Sequence, residues 1–145
     1  MAKYVTSVRT QMSPESAFAY MADLRNFDEW DPGVSSVTQI DGDGAGQTAS
    51  FDVSVKGIGP DMVLRYVTDE YEPPSRVLVT ARSAVFTSID VITVETDEKG
   101  TVVTYNAELR LNGVLALGDP FLRLVFGRIG DRAAGGLRKA LRGTG

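Results

Sequence analysis

At 145 residues with a formal net charge of −4, 43% hydrophobic and 23% charged residues, the chain has the length of one domain, spanning 1–145, and apolar material for one core. It contains neither Cys nor His, which excludes disulfides, thiolate nucleophiles, zinc-finger sites and imidazole bases. Acid–base chemistry is left to carboxylates, Tyr, Lys or Arg, and neither a metal nor a cofactor is expected.

Charge is unevenly placed. Residues 118–145 carry six Lys/Arg against two Asp, which leaves −8 on the first 117 residues, an acidic body that disfavours nucleic acid. Residues 1–7 (MAKYVTS) lack the apolar core of a signal peptide, and no run approaches the ~18 apolar residues of a membrane span. The expectation is a cytoplasmic protein without integral membrane association.

A short strand is predicted over 3–10. Ser13-Pro14-Glu15-Ser16 then offers an N-cap serine, a proline at the first helical position and an acid in the first turn. Phe18, Met21, Ala22 and Leu24 keep helical spacing, and 26–30 reads as a second short helix stopped by Pro32. From residue 33 the period becomes two. Strands are predicted over 34–40, 48–56, 62–71, 76–82, 86–96 and 101–111, separated by turn chemistry at 41–46, 57–60, 72–75 and 97–100. Connections this short make neighbours antiparallel and the sheet a meander.

Alternation assigns faces. Ala49, Phe51, Val53 and Val55 oppose Ser50, Asp52, Ser54 and Lys56, while Val103, Tyr105, Ala107 and Leu109 oppose Thr104, Asn106, Glu108 and Arg110. The strands over 62–71 and 86–96 are ambiguous, and Met62, Leu64, Tyr66, Ile89 and Val91 are taken as inward. Over 117–141, Leu122, Val125, Phe126, Ile129, Ala133 and Leu137 recur at three-and-four spacing, making one long amphipathic helix. Gly127, Gly130, Gly135 and Gly136 lie within it. Each costs up to ~1 kcal/mol relative to Ala, so something must compensate or the helix must bend.

Only that last helix is long enough to cover the sheet's apolar face, so the sheet must wrap around it. The order of elements, the stretch SPESAFAYMAD leading to WDPGV, the later GTVVTY and LNGVL, and Asp119-Pro120 before the long helix resemble the polyketide cyclase/dehydrase-like branch of the START-like (Bet v 1-like) superfamily over nearly the whole chain. The resemblance implies an α+β helix-grip fold: a seven-stranded curved antiparallel sheet around a long C-terminal helix, with two short helices after the first strand. It also implies an internal cavity for lipids, sterols, polyketides or plant hormones, with cyclase activity in some members, so that fold membership alone does not select a function.

The remaining motifs have plainer readings. Gly42, Gly44 and Gly46 lack the Gly-Lys-Ser/Thr of a phosphate cradle and open a strand, which makes them a hairpin turn. Asp41, Asp43 and Asp52 fall at calcium-loop positions, but Ala45 removes a ligand and strands replace the flanking helices. Trp30 either closes the core or faces a ligand. Tyr66 and Tyr105 either orient a ligand oxygen or serve structural hydrogen bonds. Alternation puts most of Arg65, Arg82, Asp90 and Glu108 outside; a buried one would need a partner or a strongly shifted pKa. Neither Arg65 nor Arg82 matches the cavity Arg of aromatic polyketide cyclases. The adjacent Asp69, Glu70 and Glu72 read as a solvated strand end, and the basic residues of the last helix as its solvated outer face rather than a headgroup-binding surface.

The leading expectation is a noncatalytic binder or carrier of a small hydrophobic molecule, lipid, isoprenoid or polyketide-like. Its candidate ligand-binding residues are Trp30, Phe51, Val53, Leu64, Tyr66, Ile89, Val91, Tyr105, Ala107, Phe121, Val125 and Ile129. The alternatives are a cyclase/dehydrase-type enzyme, which needs an ionisable cavity floor, and a regulatory protein-interaction module with a vestigial cavity. Ligand identity and oligomeric state are left open.

Overall fold

The computed structural model describes residues 2–56, 62–83, 86–111 and 119–143, with side chains throughout these except at 2, 119–126 and 142–143. Its elements follow the predicted order. Strand β1 is Ala2–Thr10, helix α1 Pro14–Ala22 and helix α2 Phe27–Trp30, with a 3-10 turn at Leu24–Asn26 between the helices. Strands β2 (Val34–Asp41), β3 (Ser50–Val55), β4 (Met62–Glu72), β5 (Arg76–Arg82), β6 (Phe86–Asp97) and β7 (Gly100–Leu111) precede helix α3, Asp119–Gly143.

The helical starts obey capping chemistry. Ser13 Oγ accepts the Ser16 N–H at 3.1 Å with Pro14 in the first turn, and Asp23 Oδ1 accepts the Arg25 N–H at 3.1 Å to open the 3-10 turn. Helix α1 buries Ala17, Phe18, Met21 and Ala22, and α2 buries Phe27 and Trp30. Among the described residues, one antiparallel sheet runs in the order β1-β7-β6-β5-β4-β3-β2, a six-strand meander extended by β1 at the β7 edge. The glycine-rich turn after β2 is held by Gln39, whose side-chain amide nitrogen donates to the Gly44 carbonyl at 2.9 Å and whose oxygen accepts the Gly44 N–H at 2.8 Å. Asp52 is bonded to Arg65 instead of converging with Asp41 and Asp43 on a cation. The predicted turn at 57–60 and the stretch LNGVL beyond Leu111 lie outside the described residues.

Helix α3 packs on β1 and α2, and two of its glycines explain how. A methyl at Gly136 would stand 1.9 Å from the Trp30 carbonyl oxygen, and one at Gly130 would stand 2.3 Å from the Tyr4 ring. The absence of a Cβ at both positions lets the helix approach closely. The Tyr4 hydroxyl then donates to Asp131 Oδ1 at 2.7 Å. Gly127 and Gly135 meet nothing within 4 Å, and their presence has no packing explanation.

One face assignment is corrected. In β6 the concave, buried face takes Ser88, Asp90, Ile92 and Val94, while Ile89 and Val91, expected inward, lie half-buried on the opposite face. Pairing decides it: Asp90 sits opposite Ala107, Ile92 opposite Tyr105 and Val94 opposite Val103. Directly paired residues share a face, so the phase of β7 dictates that of β6. Asp90 is therefore inside, against the expectation from alternation. Arg65, Arg82, Glu70 and Glu72 lie outside, with Arg65 paired to Asp52 and Arg82 to Asp69.

Candidate ligand-binding cavity

The concave face carries small residues where two strands would otherwise fill the space. Ala81 of β5 lies between Tyr66 of β4 and Ser88 of β6 in one cross-strand row, and Ala107 of β7 faces Asp90. Above them a cavity of about 190 Å³ remains. Its sheet wall is formed by Leu64, Tyr66, Ser88, Asp90, Tyr105, Ala107 and Leu109. Phe27, Asp31, Gly33 and Val34 close it from the α2–β2 side, and Ile129 from α3. Lys56 and Met62, both exposed, stand at its rim with Val55 and Phe86.

Most of that lining is carbon, and the polar groups converge at one end. The Tyr66 and Ser88 hydroxyls hydrogen bond at 3.0 Å, a reach made possible by the alanine between them. The Tyr105 hydroxyl donates to Asp90 Oδ2 at 2.8 Å; the two lie diagonally on paired strands, within range of a long aromatic side chain. Asp31 Oδ1 accepts the Gly33 N–H at 2.8 Å. Around this end sits an aromatic cluster, with Trp30 stacked on Phe27 at 4.7 Å and edge-on to Tyr105 at 5.3 Å, and Phe27 edge-on to Tyr66 at 6.3 Å.

Burial governs the ionisation here. Asp90 is 3% exposed. Loss of water pushes its carboxyl up to about 7, the Tyr105 hydrogen bond pulls the other way, and the charge of Asp31 adds a smaller upward push. Asp31 is also raised by burial, against the Gly33 N–H and the charge of Arg132. Both cavity tyrosines are raised well above 10, burial first and the Asp90 charge second, and stay protonated at neutral pH.

The candidate residues therefore divide. Leu64, Tyr66, Tyr105, Ala107 and Ile129 meet at the cavity. Trp30, Phe51 and Val53 are buried in the packed core and do not line it. Ile89 and Val91 face away. The side chains of Phe121 and Val125 lie outside the described residues. Sequence reasoning missed Asp31, Ser88 and Asp90 as lining residues. The two-residue Glu98-Lys99 turn that pairs Asp97 with Gly100 held the signal for Ser88 and Asp90, because counting back from it sets Asp90 against Ala107.

The family model described as polyketide cyclase / dehydrase and lipid transport matches residues 1–142. The chain belongs to that family. Comparison with curated proteins gives no match. Among solved structures, the START superfamily protein from Mycobacterium smegmatis aligns with TM-score 0.70 and 14% identity over 97% of both chains. The ginseng major latex-like protein 151 from Panax ginseng aligns with TM-score 0.62 and 9% identity, covering 90% of this chain and 97% of that one. The di-domain ARO/CYC BexL from the BE-7585A biosynthetic pathway aligns with TM-score 0.70 and 16% identity over 96% of this chain. This chain spans about half, 49%, of that di-domain protein. At such identities the likeness is one of fold, and it agrees with the helix-grip architecture described above. No helix among the described residues is long and apolar enough to cross a membrane.

Proposed function

We propose that the protein binds a compact, mainly apolar molecule whose polar group sits against Asp90, Tyr105, Tyr66 and Ser88. The observation that carries this reading is the cavity of about 190 Å³ with carbon walls and a single polar end, the composition of a small-molecule site. Its size limits the guest: an engineered apolar cavity of ~150 Å³ holds benzene, so a substituted single ring or a branched chain of similar bulk fits. Removing roughly 200 Å² of apolar ligand surface from water supplies about 5 kcal/mol before association costs. The test is an NMR titration with ring-sized probes, following the Ala107 and Ile129 methyl signals. Saturable shifts there support the reading, and unchanged signals across the series overturn it.

A second reading follows from Asp90 alone. A carboxyl that changes protonation near neutrality inside a cavity, next to a tyrosine hydroxyl, is suited to move a proton, in keeping with the cyclase/dehydrase part of the family description. The Asp90 carboxylate would take a proton from the carbon between two carbonyls of a bound 1,3-diketone, the electron pair passing to the carbonyl oxygen as the enolate. Deuterium exchange at that carbon should be accelerated by the protein and lost in Asp90→Asn even at diketone concentrations that saturate the variant. Exchange at the buffer rate rules the reading out.

A further inference from the structure

Counting donors and acceptors at the polar end shows an imbalance. Three hydroxyl hydrogens are available, from Tyr66, Ser88 and Tyr105. One is used between Tyr66 and Ser88 and one on Asp90 Oδ2, which leaves a single spare donor. On the other side, Asp90 Oδ1 and Asp31 Oδ2 take no hydrogen bond from the described residues, and both carboxyl groups line the cavity. Asp90 is 3% exposed and Asp31 9%, yet neither oxygen is buried without a partner: both open onto the cavity, where a guest can reach them. The charged and titratable groups around Asp90 and Asp31 are the two acids themselves, Tyr66 of β4 and Tyr105 of β7, with Lys56 at the rim the cationic lining residue among those described and Arg132 of α3 acting on Asp31 from outside the lining.

Resting on the binding reading above, we propose that the polar end is an acceptor site: it takes ligands whose head donates hydrogen bonds, an alcohol or a protonated amine, and turns away carboxylates. A donating head fills the unpaired oxygens of Asp90 and Asp31 from within the cavity. A carboxylate brings further acceptors and a like charge to a mostly carbon-walled space that already holds both acids, where charges are screened less than in bulk water. Free short-chain acids are thus excluded, and the matching alcohols and amines admitted, by the same two side chains.

The test uses the full chain and three probes with the same ring and a two-carbon arm: 2-phenylethylamine, 2-phenylethanol and phenylacetate. Each is titrated at about pH 8, above the Asp90 carboxyl at about 7 and below the range of a primary amine. The amine and the alcohol are expected to bind, with phenylacetate about tenfold or more weaker than either. In Asp90→Asn and, separately, Asp31→Asn, each close in shape to the original, the gap between phenylacetate and the alcohol should narrow several-fold. Phenylacetate binding as tightly as the alcohol in the unmodified protein overturns the acceptor site while leaving the binding cavity standing. A gap unchanged in both variants also overturns it, since the exclusion would then not come from these acids. Failure of all three probes removes the binding reading itself, and this inference with it.

Discussion

Inside the cavity the Tyr105 hydroxyl donates to Asp90 across 2.8 Å, joining a residue of β7 to a diagonal neighbour on β6. This bond keeps Asp90 from rising further, since it favours the charged form while burial opposes it. The stability of the fold is thereby tied to pH.

The sign follows from comparing the two states of Asp90. Its carboxyl is raised from 3.8 to about 7 on folding. Below 3.8 both states hold the proton; between the two values the unfolded chain releases it and the folded chain does not, so stability falls as pH rises and levels off above about 7. Asp90→Asn is expected to lack this decline and to exceed the parent at pH 8 by on the order of a few kcal/mol. Asp23, Asp52 and Asp97 are lowered by their hydrogen bonds and act in the opposite direction in both proteins, so the measurement is the difference between the two urea-denaturation profiles across pH. A difference that does not change with pH contradicts the prediction.

Tyr105→Phe removes the bond without removing the ring. The Asp90 midpoint should move above that of the parent, followed by the carboxyl carbon shift in an NMR titration. Stability should fall by about 1–3 kcal/mol, more at pH 8 than at pH 5, because the lost partner served the ionised form. Trp30, edge-on to Tyr105 and the single Trp of the chain, supplies a fluorescence signal for the unfolding curve.

Ala107→Leu adds carbon to an existing void opposite Asp90. Affinity for any cavity ligand should drop about tenfold or more, while stability changes by less than about 1.5 kcal/mol or improves. A variant that binds probes as the parent does would show that the guest sits elsewhere.

Neighbouring glycines of α3 should behave oppositely. Gly136→Ala drives a methyl against the Trp30 carbonyl, a backbone atom 1.9 Å away that can yield only if the helix shifts, and should cost about 2–3 kcal/mol or more. Gly135→Ala meets nothing within 4 Å and should stabilise by up to ~1 kcal/mol through helix propensity. Thermal unfolding of the pair checks both.

The order of elements was legible in the sequence because each rests on local chemistry. Ser13-Pro14 opens a helix, Pro32 ends the helical region, and the acid- and glycine-containing turns after β2 and β6 fold the chain back on itself. Faces were legible wherever one phase was clearly apolar, as at Phe51 and Val53 or at Val103, Tyr105 and Ala107, all buried as alternation requires. In β6 both phases hold branched apolar residues, so hydrophobicity alone favoured Ile89 and Val91, and only the register with β7 shows which phase is inside.

The helix-grip architecture, family membership and the lack of imidazole and thiol chemistry all follow from the residues in chain order. The site follows from how the strands pair. Alternation is a one-strand rule, whereas a cavity arises where neighbouring strands bring short side chains to the inner face, here Ser88 of β6 and Ala107 of β7, and leave polar groups close to one another. Within its own strand Asp90 carries no mark that separates it from a solvated strand acid; only the count back from the Glu98-Lys99 turn sets it against Ala107. Its burial, its bond to Tyr105 and its raised pKa come from the strand beside it, a relationship that exists only once the sheet has formed.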